Sequence, residues 1–449
     1  MVSIQNIPIY LCLFLVNFFY SVSILEIPLQ SIKVEGIPKY RNITRFKPGN
    51  KIILNNNVFY YEEGDSVVSK DLLFLANIKI GSNHQKFNLV LDTGSSILWV
   101  AQKGCKGTYA ITNFFNPSAS STSKSTEQPF EIQYGTGSCS GIYYNDNVRY
   151  LSNDDFNMYF GVASNAEFMA TGADGIIGLS KSYQTKALSF VHMLKENGVT
   201  DSLVFSFKFE LDVFKSDVKG RMYIGKHDDF SKDEVKSCPL INYINEIFWA
   251  CKLESFGLKG SNAEAISTYS QGVIFDTGTN AIILPMRYLN DLQGKLSNFG
   301  CTTLNSEGNY YIRCDANGDF PSLNFKLGGQ ILTIPREYSF SYLDSSRRYV
   351  ISSVTFTSDD DMALIGSVFF YVYHTLFDEE NKELKFILND GKIGGLSTFV
   401  IILIVVASIA TVLLIAFVIY YCIKNRKKNN MLAANYGNNY NQPFFNNMN

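Results

Sequence analysis

Two copies of the tripeptide Asp-Thr-Gly, each placed directly after an apolar run, constrain this chain more than any other feature. The first copy, Asp92–Gly94, follows Leu-Val-Leu, and the second, Asp276–Gly278, follows Val-Ile-Phe. A single copy means little, because Asp and Gly are ordinary turn residues. A buried strand that ends on a carboxylate is costly unless that charge is paired or used. Two copies in the same setting therefore predict one shared carboxylate site.

An internal repeat extends beyond the tripeptides. Each aspartate is followed, after nearly the same interval, by an apolar-apolar-Gly triplet, first at Ile176–Gly178 and again at Leu364–Gly366. A duplicated unit of this size predicts two similar lobes with the paired site between them.

Length and composition narrow the function classes. The chain has 449 residues, 46% of them hydrophobic, and a net charge of −2. It can bury a large core of one or two domains. It has no basic stripe, so a nucleic-acid partner is not expected.

The cysteines indicate an oxidising compartment. Six of the eight lie between Cys105 and Cys314, an even number that suits disulfides. None forms a Cys-x-x-Cys pair, so a structural zinc site is not expected.

The two ends of the chain carry targeting signals. Residues 1–23 contain an apolar run followed by small residues, which predicts a cleaved signal peptide. Residues 396–421 carry no charge and are long enough to span a bilayer. Lysines and an arginine follow at once, so the Asn-rich tail, 422–449, is expected in the cytosol. These features predict a single-pass type I membrane protein of the secretory system or cell surface, with its main body lumenal or extracellular.

With these motifs in place, the chain resembles the pepsin-like aspartic proteases, the family of pepsin, cathepsin D, renin and the plasmepsins. The resemblance covers roughly residues 70 to 390, and its motifs keep the family's order and close to its spacing. They are Asp92–Ser96, Trp99, Tyr134–Ser138, Ala173–Leu179 and Asp276–Thr279. Abundant Asn, Lys, Phe and Tyr are typical of AT-rich genomes such as those of malaria parasites, which favours a plasmepsin-like member.

The resemblance implies a fold and an activity. The fold is mainly β, with an N-terminal lobe at 66–238, a C-terminal lobe at 239–392 and a cleft between them. Asp92 and Asp276 are the expected catalytic residues of an endopeptidase that uses an activated water and neither a metal nor a cofactor. The basic segment 24–65 corresponds to a propeptide that covers the acidic site. The expected protein is a monomeric, membrane-anchored zymogen that acts on proteins and peptides.

The resemblance also assigns support to the two aspartates. Gly94 and Gly278 let the backbone approach the carboxylates and donate N–H bonds. Ser95 and Thr279 supply hydroxyls that fix the outer carboxylate oxygens.

A Gly-rich hairpin is identified with the family's flap, which closes over the substrate. Two strand-like runs within Phe130–Tyr144 flank the turn. The expected substrate-binding residues are Tyr134, Gly135 and Thr136, with Trp99 supporting the tyrosine. Closure of such a flap excludes water and orders the peptide.

Three disulfides are expected. Cys301–Cys314 encloses a short loop as a disulfide does in the family. Cys238 and Cys251 fit two strands of a hairpin. Cys105 occupies the family's first position of a small loop that here lacks its second cysteine, so Cys139 is hypothesised as its partner.

Ser367 departs from the family pattern, because acidic members usually carry Asp there. Loss of a nearby negative charge makes the pair easier to deprotonate and changes its acid profile. We expect a less acidic optimum than that of pepsin.

Other function classes remain open at this point. The main alternative is an inactivated protease fold that serves as a membrane receptor or adhesion module, which loss of either aspartate would favour. The segment Gly137–Gly141 imitates a nucleophile elbow with cysteine, but it lies in a hairpin and not in a strand-to-helix turn. A zinc peptidase is disfavoured because His-Glu-x-x-His does not occur.

Overall fold

The computed structural model describes most of the region between the two ends of the chain. The described residues are 25–33, 72–107, 111–134, 137–149, 155–167, 173–181, 189–209, 220–231, 234–279, 281–306, 309–343, 348–357 and 362–389. The predicted signal peptide, residues 34–65 of the predicted propeptide, the predicted membrane span 396–421 and the tail lie outside them. No helix within the described ranges is long and apolar enough to cross a membrane.

Strands dominate the described part of the chain, as predicted. In the first half they are β1 (Leu25–Lys33), β2 (Leu72–Ile80), β3 (Gln85–Asp92), β4 (Trp99–Lys106), β5 (Lys124–Tyr134), β6 (Gly137–Arg149), β7 (Phe156–Ala166), β8 (Gly175–Gly178), β9 (Val204–Phe209), β10 (Gly220–Ile224) and β11 (Lys236–Pro239). In the second half they are β12 (Ala250–Lys259), β13 (Glu264–Ser267), β14 (Gln271–Phe275), β15 (Ile282–Pro285), β16 (Cys301–Ser306), β17 (Asn309–Asp315), β18 (Ser322–Leu327), β19 (Gln330–Ile334), β20 (Phe340–Tyr342), β21 (Tyr349–Thr357), β22 (Leu364–Ile365), β23 (Tyr373–Asp378) and β24 (Glu383–Leu388).

Helices in the described ranges are short. The α-helices are α1 (Phe190–Glu196), α2 (Met286–Leu292), α3 (Arg336–Ser339) and α4 (Ser367–Val372). Short 3₁₀ helices occur at Pro117–Ala119, Asp228–Ser231 and Gln293–Phe299.

The strands form two sheets, which confirms the mainly β, two-lobed architecture. A 13-stranded sheet runs β11-β24-β23-β9-β10-β1-β2-β3-β8-β4-β7-β6-β5. An 11-stranded sheet runs β16-β17-β21-β15-β22-β14-β12-β18-β19, with β13 on β12 and β20 on β21. Although they come late in the chain, β23 and β24 return to the first sheet, where β23 pairs with β9. The lobes are therefore joined by strand pairing as well as by the chain.

The internal repeat is visible in the topology. In the first sheet β3 pairs in parallel with β8, so Asp92 lies beside Gly178. In the second sheet β14 pairs in parallel with β22, so Phe275, the residue before Asp276, lies beside Ile365. Each apolar-apolar-Gly triplet is thus the parallel neighbour of the strand that delivers an aspartate.

Aromatic side chains pack where strands from the two halves of the chain meet. Trp249 is buried, its ring contacts Phe205 and Phe377, and its Nε1–H donates to the carbonyl of Leu179 at 2.9 Å. Phe205 on β9 and Phe377 on β23 stack at 4.8 Å between ring centroids. Packed aromatic pairs of this kind add to the free energy gained by burying their area, and here they couple β9 of the first half of the chain to β23 of the second.

One of the three expected disulfides is formed. Cys301 and Cys314 are directly opposite each other in the β16–β17 ladder and are bonded.

The pairing Cys238–Cys251 is corrected by the structure, where both thiols are free. The residue opposite Cys251 is Leu240, so the two cysteines are out of register. The Cys251 thiol instead donates to the carbonyl of Cys238 at 3.5 Å.

The pairing Cys105–Cys139 is corrected in the same way, because no disulfide joins these two residues. Strand β7 lies between β4, which carries Cys105, and β6, which carries Cys139. Cys105 packs against the apolar cluster that contains Cys139, but no bond joins the two sulfur atoms. Burial raises the pKa of the Cys105 thiol to about 11.

Candidate active site

The two aspartates lie at matching positions in the two lobes. Asp92 is the last residue of β3, and Asp276 directly follows β14. Both are largely buried, with exposed fractions of 6% and 8%. The apolar strands bring each carboxylate to a protected position, as the sequence predicts, and the pairing of the lobes brings the two together.

The threonines of the two tripeptides clamp the lobes to each other. The Thr93 N–H donates to Thr277 Oγ1 at 3.1 Å, and the Thr277 N–H donates to Thr93 Oγ1 at 3.0 Å. Each hydroxyl then donates across the junction at 2.8 Å, Thr93 to the carbonyl of Phe275 and Thr277 to that of Leu91. Sequence reasoning assigned these threonines no role. The available signal was a β-branched hydroxyl residue at the same place in both copies.

Each carboxylate is held by two donors from its own turn. The Gly94 N–H donates to Asp92 Oδ1 at 2.8 Å, and the Ser95 hydroxyl donates to Asp92 Oδ2. In the other lobe the Gly278 N–H donates to Asp276 Oδ1 at 2.8 Å, and Thr279 Oγ1 donates to Asp276 Oδ2 at 2.7 Å. All four predicted support residues lie at hydrogen-bond distance from their aspartate.

The glycines are required because each carboxylate packs against the glycine of the other lobe. A Cβ on Gly278 would lie 2.5 Å from Asp92 Oδ1, and a Cβ on Gly94 would lie 2.8 Å from Asp276 Cγ. Contacts this short are repulsive for any side chain. The glycines therefore set how closely the two carboxyl groups approach.

The electrostatics of the site favour one shared proton. Burial raises the pKa of Asp92 well above its ordinary value, and the neighbouring charge of Asp276 raises it further. The hydrogen bonds from Ser95 and Gly94 act in the opposite direction but do not offset these effects. Two carboxylates that face each other in a buried site titrate as a pair, because ionising both is costly.

The predicted flap tyrosine is anchored beside the turn of its hairpin. Tyr134 ends β5, pairs with Gly137 at the start of β6, and accepts a hydrogen bond from Trp99 Nε1–H at 2.8 Å. Burial raises the pKa of the Tyr134 phenol, and the charge of Asp92 raises it as well, so the phenol stays neutral. Gly135 and Thr136, at the tip, lie outside the described residues.

Asp174 supports the site from beneath. It is fully buried and accepts hydrogen bonds from the backbone N–H groups of Asn88 at 2.9 Å and Asn113 at 2.8 Å. It thereby ties β3 to the segment after β4. The sequence motif was recognised, but this positioning role becomes visible only in the fold.

Comparisons with known proteins identify the family. A model of the eukaryotic aspartyl protease family matches residues 73–388. The chain belongs to this family. It is 30% identical to gastricsin of Rattus norvegicus over 385 residues, which cover 81% of this chain and 94% of the relative. It is 29% identical to embryonic pepsinogen of Gallus gallus, with 70% and 80% covered, and 26% identical to pepsin B of Canis lupus familiaris, with 78% and 89% covered.

The protein is thus a pepsin-like aspartic endopeptidase, and the expected enzyme class is confirmed. The catalytically inactive alternative loses its main support, because both aspartates are present and both are held by donors. The relatives are a gastricsin, a pepsinogen and a pepsin, and the plasmepsin likeness stays a prediction.

Proposed function

We propose that this protease hydrolyses peptide bonds with a water molecule activated between Asp92 and Asp276. The ionised member of the pair accepts a proton from the water as its oxygen attacks the carbonyl carbon. The protonated member donates its proton to the carbonyl oxygen, which gives a neutral tetrahedral diol. Collapse of the diol breaks the C–N bond, and a proton passes to the departing amine. The raised pKa of Asp92 is the observation that supports this mechanism best, because it keeps one proton on the pair.

The residues that support the two aspartates suit these proton transfers. Donors from Gly94, Ser95, Gly278 and Thr279 fix the orientation of both carboxyl groups, so little reorganisation is needed as protons move. Tyr134 lies near enough for the charge of Asp92 to affect its pKa. A neutral phenol beside the turn of the flap is suited to hydrogen bonding with a peptide that lies over the aspartates.

We further propose that the enzyme is made as a zymogen and anchored in a membrane of the secretory pathway. Strand β1, Leu25–Lys33, falls within the predicted propeptide and pairs with both β2 and β10. This pairing supports a propeptide that folds with the enzyme. The uncharged segment 396–421 and the basic residues after it support a type I anchor.

The mechanism is tested with a secreted chain of residues 24–392 and a fluorogenic peptide library between pH 3 and 7.5. The substitution Asp276→Asn keeps the shape of the side chain and removes the titrating carboxyl group. We expect kcat to fall by about a thousandfold or more, with a statine-type inhibitor blocking the wild type. If Asp276→Asn keeps the activity of the wild type while its thermal stability is unchanged, the two-aspartate mechanism is excluded. The anchor is tested separately by alkaline extraction of membranes, which should release a chain truncated before residue 396 and retain the full chain.

A further inference from the structure

Three side chains that the proteolytic mechanism does not use meet on the sheet that joins the lobes. His227 and Asp229 follow β10, whereas His374 comes from β23 in the second half of the chain. One ligand-type atom from each lies within 4.8 Å of the others. The Nδ1 atoms of His227 and His374 are 3.6 Å and 3.7 Å from the same carboxylate oxygen, Asp229 Oδ2.

These distances fit a tetrahedral metal site. A zinc ion bound at about 2.0–2.1 Å by nitrogen and oxygen ligands keeps those ligand atoms about 3.4 Å apart. The two measured separations exceed that value by a few tenths of an ångström, which small side-chain rotations supply. Two imidazoles and one carboxylate are ligands suited to Zn²⁺. We propose that His227, Asp229 and His374 form a zinc-binding site distinct from the catalytic aspartates.

Hydrogen bonds around the cluster favour the required imidazole tautomers. His374 Nε2 lies 2.9 Å from Ser206 Oγ, and a proton donated there leaves Nδ1 with a lone pair toward Asp229. His227 Nδ1 accepts a hydrogen bond from the Asp229 backbone N–H at 3.2 Å, so this nitrogen is unprotonated. Zinc takes the place of that amide as the partner of His227.

The cluster is enclosed on one side and reachable from the other. His374 is 1% exposed, whereas His227 and Asp229 are 16% and 21% exposed. The rings of Tyr223 and Phe230 pack on the two histidines, at 4.3 Å from His227 and 4.6 Å from His374 between centroids. A partly open edge lets the ion enter and lets water complete its coordination.

Lys208 is the cation that a bound zinc ion displaces. Its Nζ lies 3.0 Å from Asp229 Oδ2, the oxygen that both histidines face. Two positive charges at this distance repel each other strongly in a partly buried site. Zinc affinity should therefore rise when the charge of Lys208 is removed, which a merely structural salt bridge does not predict.

Zinc at this position would cross-link the two halves of the chain. The ligands connect the segment after β10 to β23, which comes from the C-terminal half of the chain and pairs with β9. Strand β10 is also the strand that pairs with β1. A ligand that binds only the folded state stabilises it in proportion to its concentration over its dissociation constant. Sequence reasoning expected no metal because it considered Cys-x-x-Cys and His-Glu-x-x-His patterns, and these three ligands are scattered along the chain.

The test is a zinc titration of the full chain at pH 7.5 by calorimetry, with a statine-type inhibitor occupying the catalytic pair. Co²⁺ serves as a spectroscopic substitute, whose strong visible absorption reports tetrahedral coordination. We expect one equivalent of Zn²⁺ to bind with a micromolar or lower dissociation constant. His227→Gln should weaken binding at least tenfold, and Lys208→Gln should tighten it.

His192→Gln is the matched control, because His192 is 17% exposed and also faces a carboxylate, Glu379, but lies outside the cluster. It should bind zinc as the wild type does. Thermal unfolding without zinc shows whether each variant is folded. Absence of saturable binding, unchanged affinity in folded His227→Gln, or equal loss in His192→Gln would overturn the proposal.

Discussion

At the scale of single residues, Thr93 and Thr277 turn two separate tripeptides into one site. Each threonine donates its backbone N–H to the hydroxyl of the other, each hydroxyl donates to a backbone carbonyl of the opposite lobe, and all four bonds are buried. A buried donor or acceptor that loses its partner keeps the full cost of desolvation. The two lobes are therefore fixed in relative position directly beneath the carboxylates.

The substitution Thr277→Val tests this clamp. Valine keeps the shape but removes the hydroxyl, which leaves the carbonyl of Leu91 and the N–H of Thr93 without partners. We expect the free energy of unfolding to fall by about 1–3 kcal/mol and kcat to fall by about tenfold through misplacement of the aspartates. Urea denaturation and peptide cleavage measure the two effects. Thr375→Val, a buried threonine whose hydroxyl bonds within its own strand, should leave kcat unchanged, and an equal loss there would count against the clamp.

Ser367 lies beside the turn that carries Asp276. It is buried at the start of α4, and its N–H donates at 2.7 Å to the carbonyl of Thr279, the residue that supports Asp276.

The pKa of Asp92 is raised above its ordinary value of 3.8. The native state therefore holds a proton that the unfolded chain has lost. Both stability and the active, singly protonated form decline as the pH rises through this raised pKa.

The substitution Ser367→Asp should extend activity to higher pH. A nearby negative charge raises the pKa of the pair further, so the upper limb of the kcat/KM profile should move up by about one pH unit. Ser367→Asn, which has the same shape and no charge, should leave the limb in place. A limb that stays or moves down in Ser367→Asp would contradict this electrostatic role. By the same reasoning, the neutral Ser367 places the upper limb of the kcat/KM profile at a lower pH than an aspartate would. Ser367 therefore does not by itself support the less acidic optimum expected from the sequence.

At the scale of elements, one side-chain hydrogen bond fixes the end of β5 in the β5–β6 hairpin, whose strand β6 also pairs with β7. Trp99 is fully buried at the start of β4, and its Nε1–H reaches Tyr134 at the end of β5. The end of β5 is thereby held next to β4, the strand that follows the Asp92 turn.

The substitution Tyr134→Phe removes this acceptor. The buried Trp99 N–H then loses this hydrogen-bond acceptor, and the end of β5 is no longer bonded to Trp99. We expect kcat/KM to fall by about tenfold, at a cost in stability of about 1–3 kcal/mol. Tyr143→Phe serves as the control, since Tyr143 lies in the same hairpin and stacks on Tyr159. Steady-state kinetics decide the matter, and unaltered kcat/KM in Tyr134→Phe would rule out a role for the phenol.

At the scale of the whole molecule, one sheet collects strands from both ends of the described chain. β1 pairs with β10 on one side and β2 on the other, and β23 and β24 close the same sheet from the C-terminal half. A strand inserted between two others satisfies the backbone groups of both neighbours. The N-terminal segment is thus part of the folded protein's framework.

Deletion of residues 24–33 should destabilise the whole protein. It leaves the facing edges of β2 and β10 without a partner, and exposed edges promote association as well as unfolding. We expect the midpoint of thermal unfolding to fall by at least about 4 °C, with more light scattering on heating. Deletion of residues 440–449, of the same length, is the control. Equal melting temperatures for the two deletions would show that β1 contributes nothing to stability.

The sequence by itself determined the local chemistry of this protein. Apolar strands ending in Asp-Thr-Gly indicate buried carboxylates, and the repeat indicates two lobes, because both signals depend on residues that are neighbours in the chain. The mainly β fold and the protease family followed from these signals and are confirmed. The family resemblance also implied Cys301–Cys314, and in the structure a short hairpin places the two cysteines opposite each other.

Only the tertiary structure decided which distant residues meet. Long-range strand pairing places Leu240 opposite Cys251 and places β7 between Cys105 and Cys139. Local sequence patterns do not encode such pairing. The threonine clamp and the convergence of His227, Asp229 and His374 have the same origin. Hydrophobic periodicity specifies which face of a strand is buried, but the choice of its neighbour is made by the packing of the whole core.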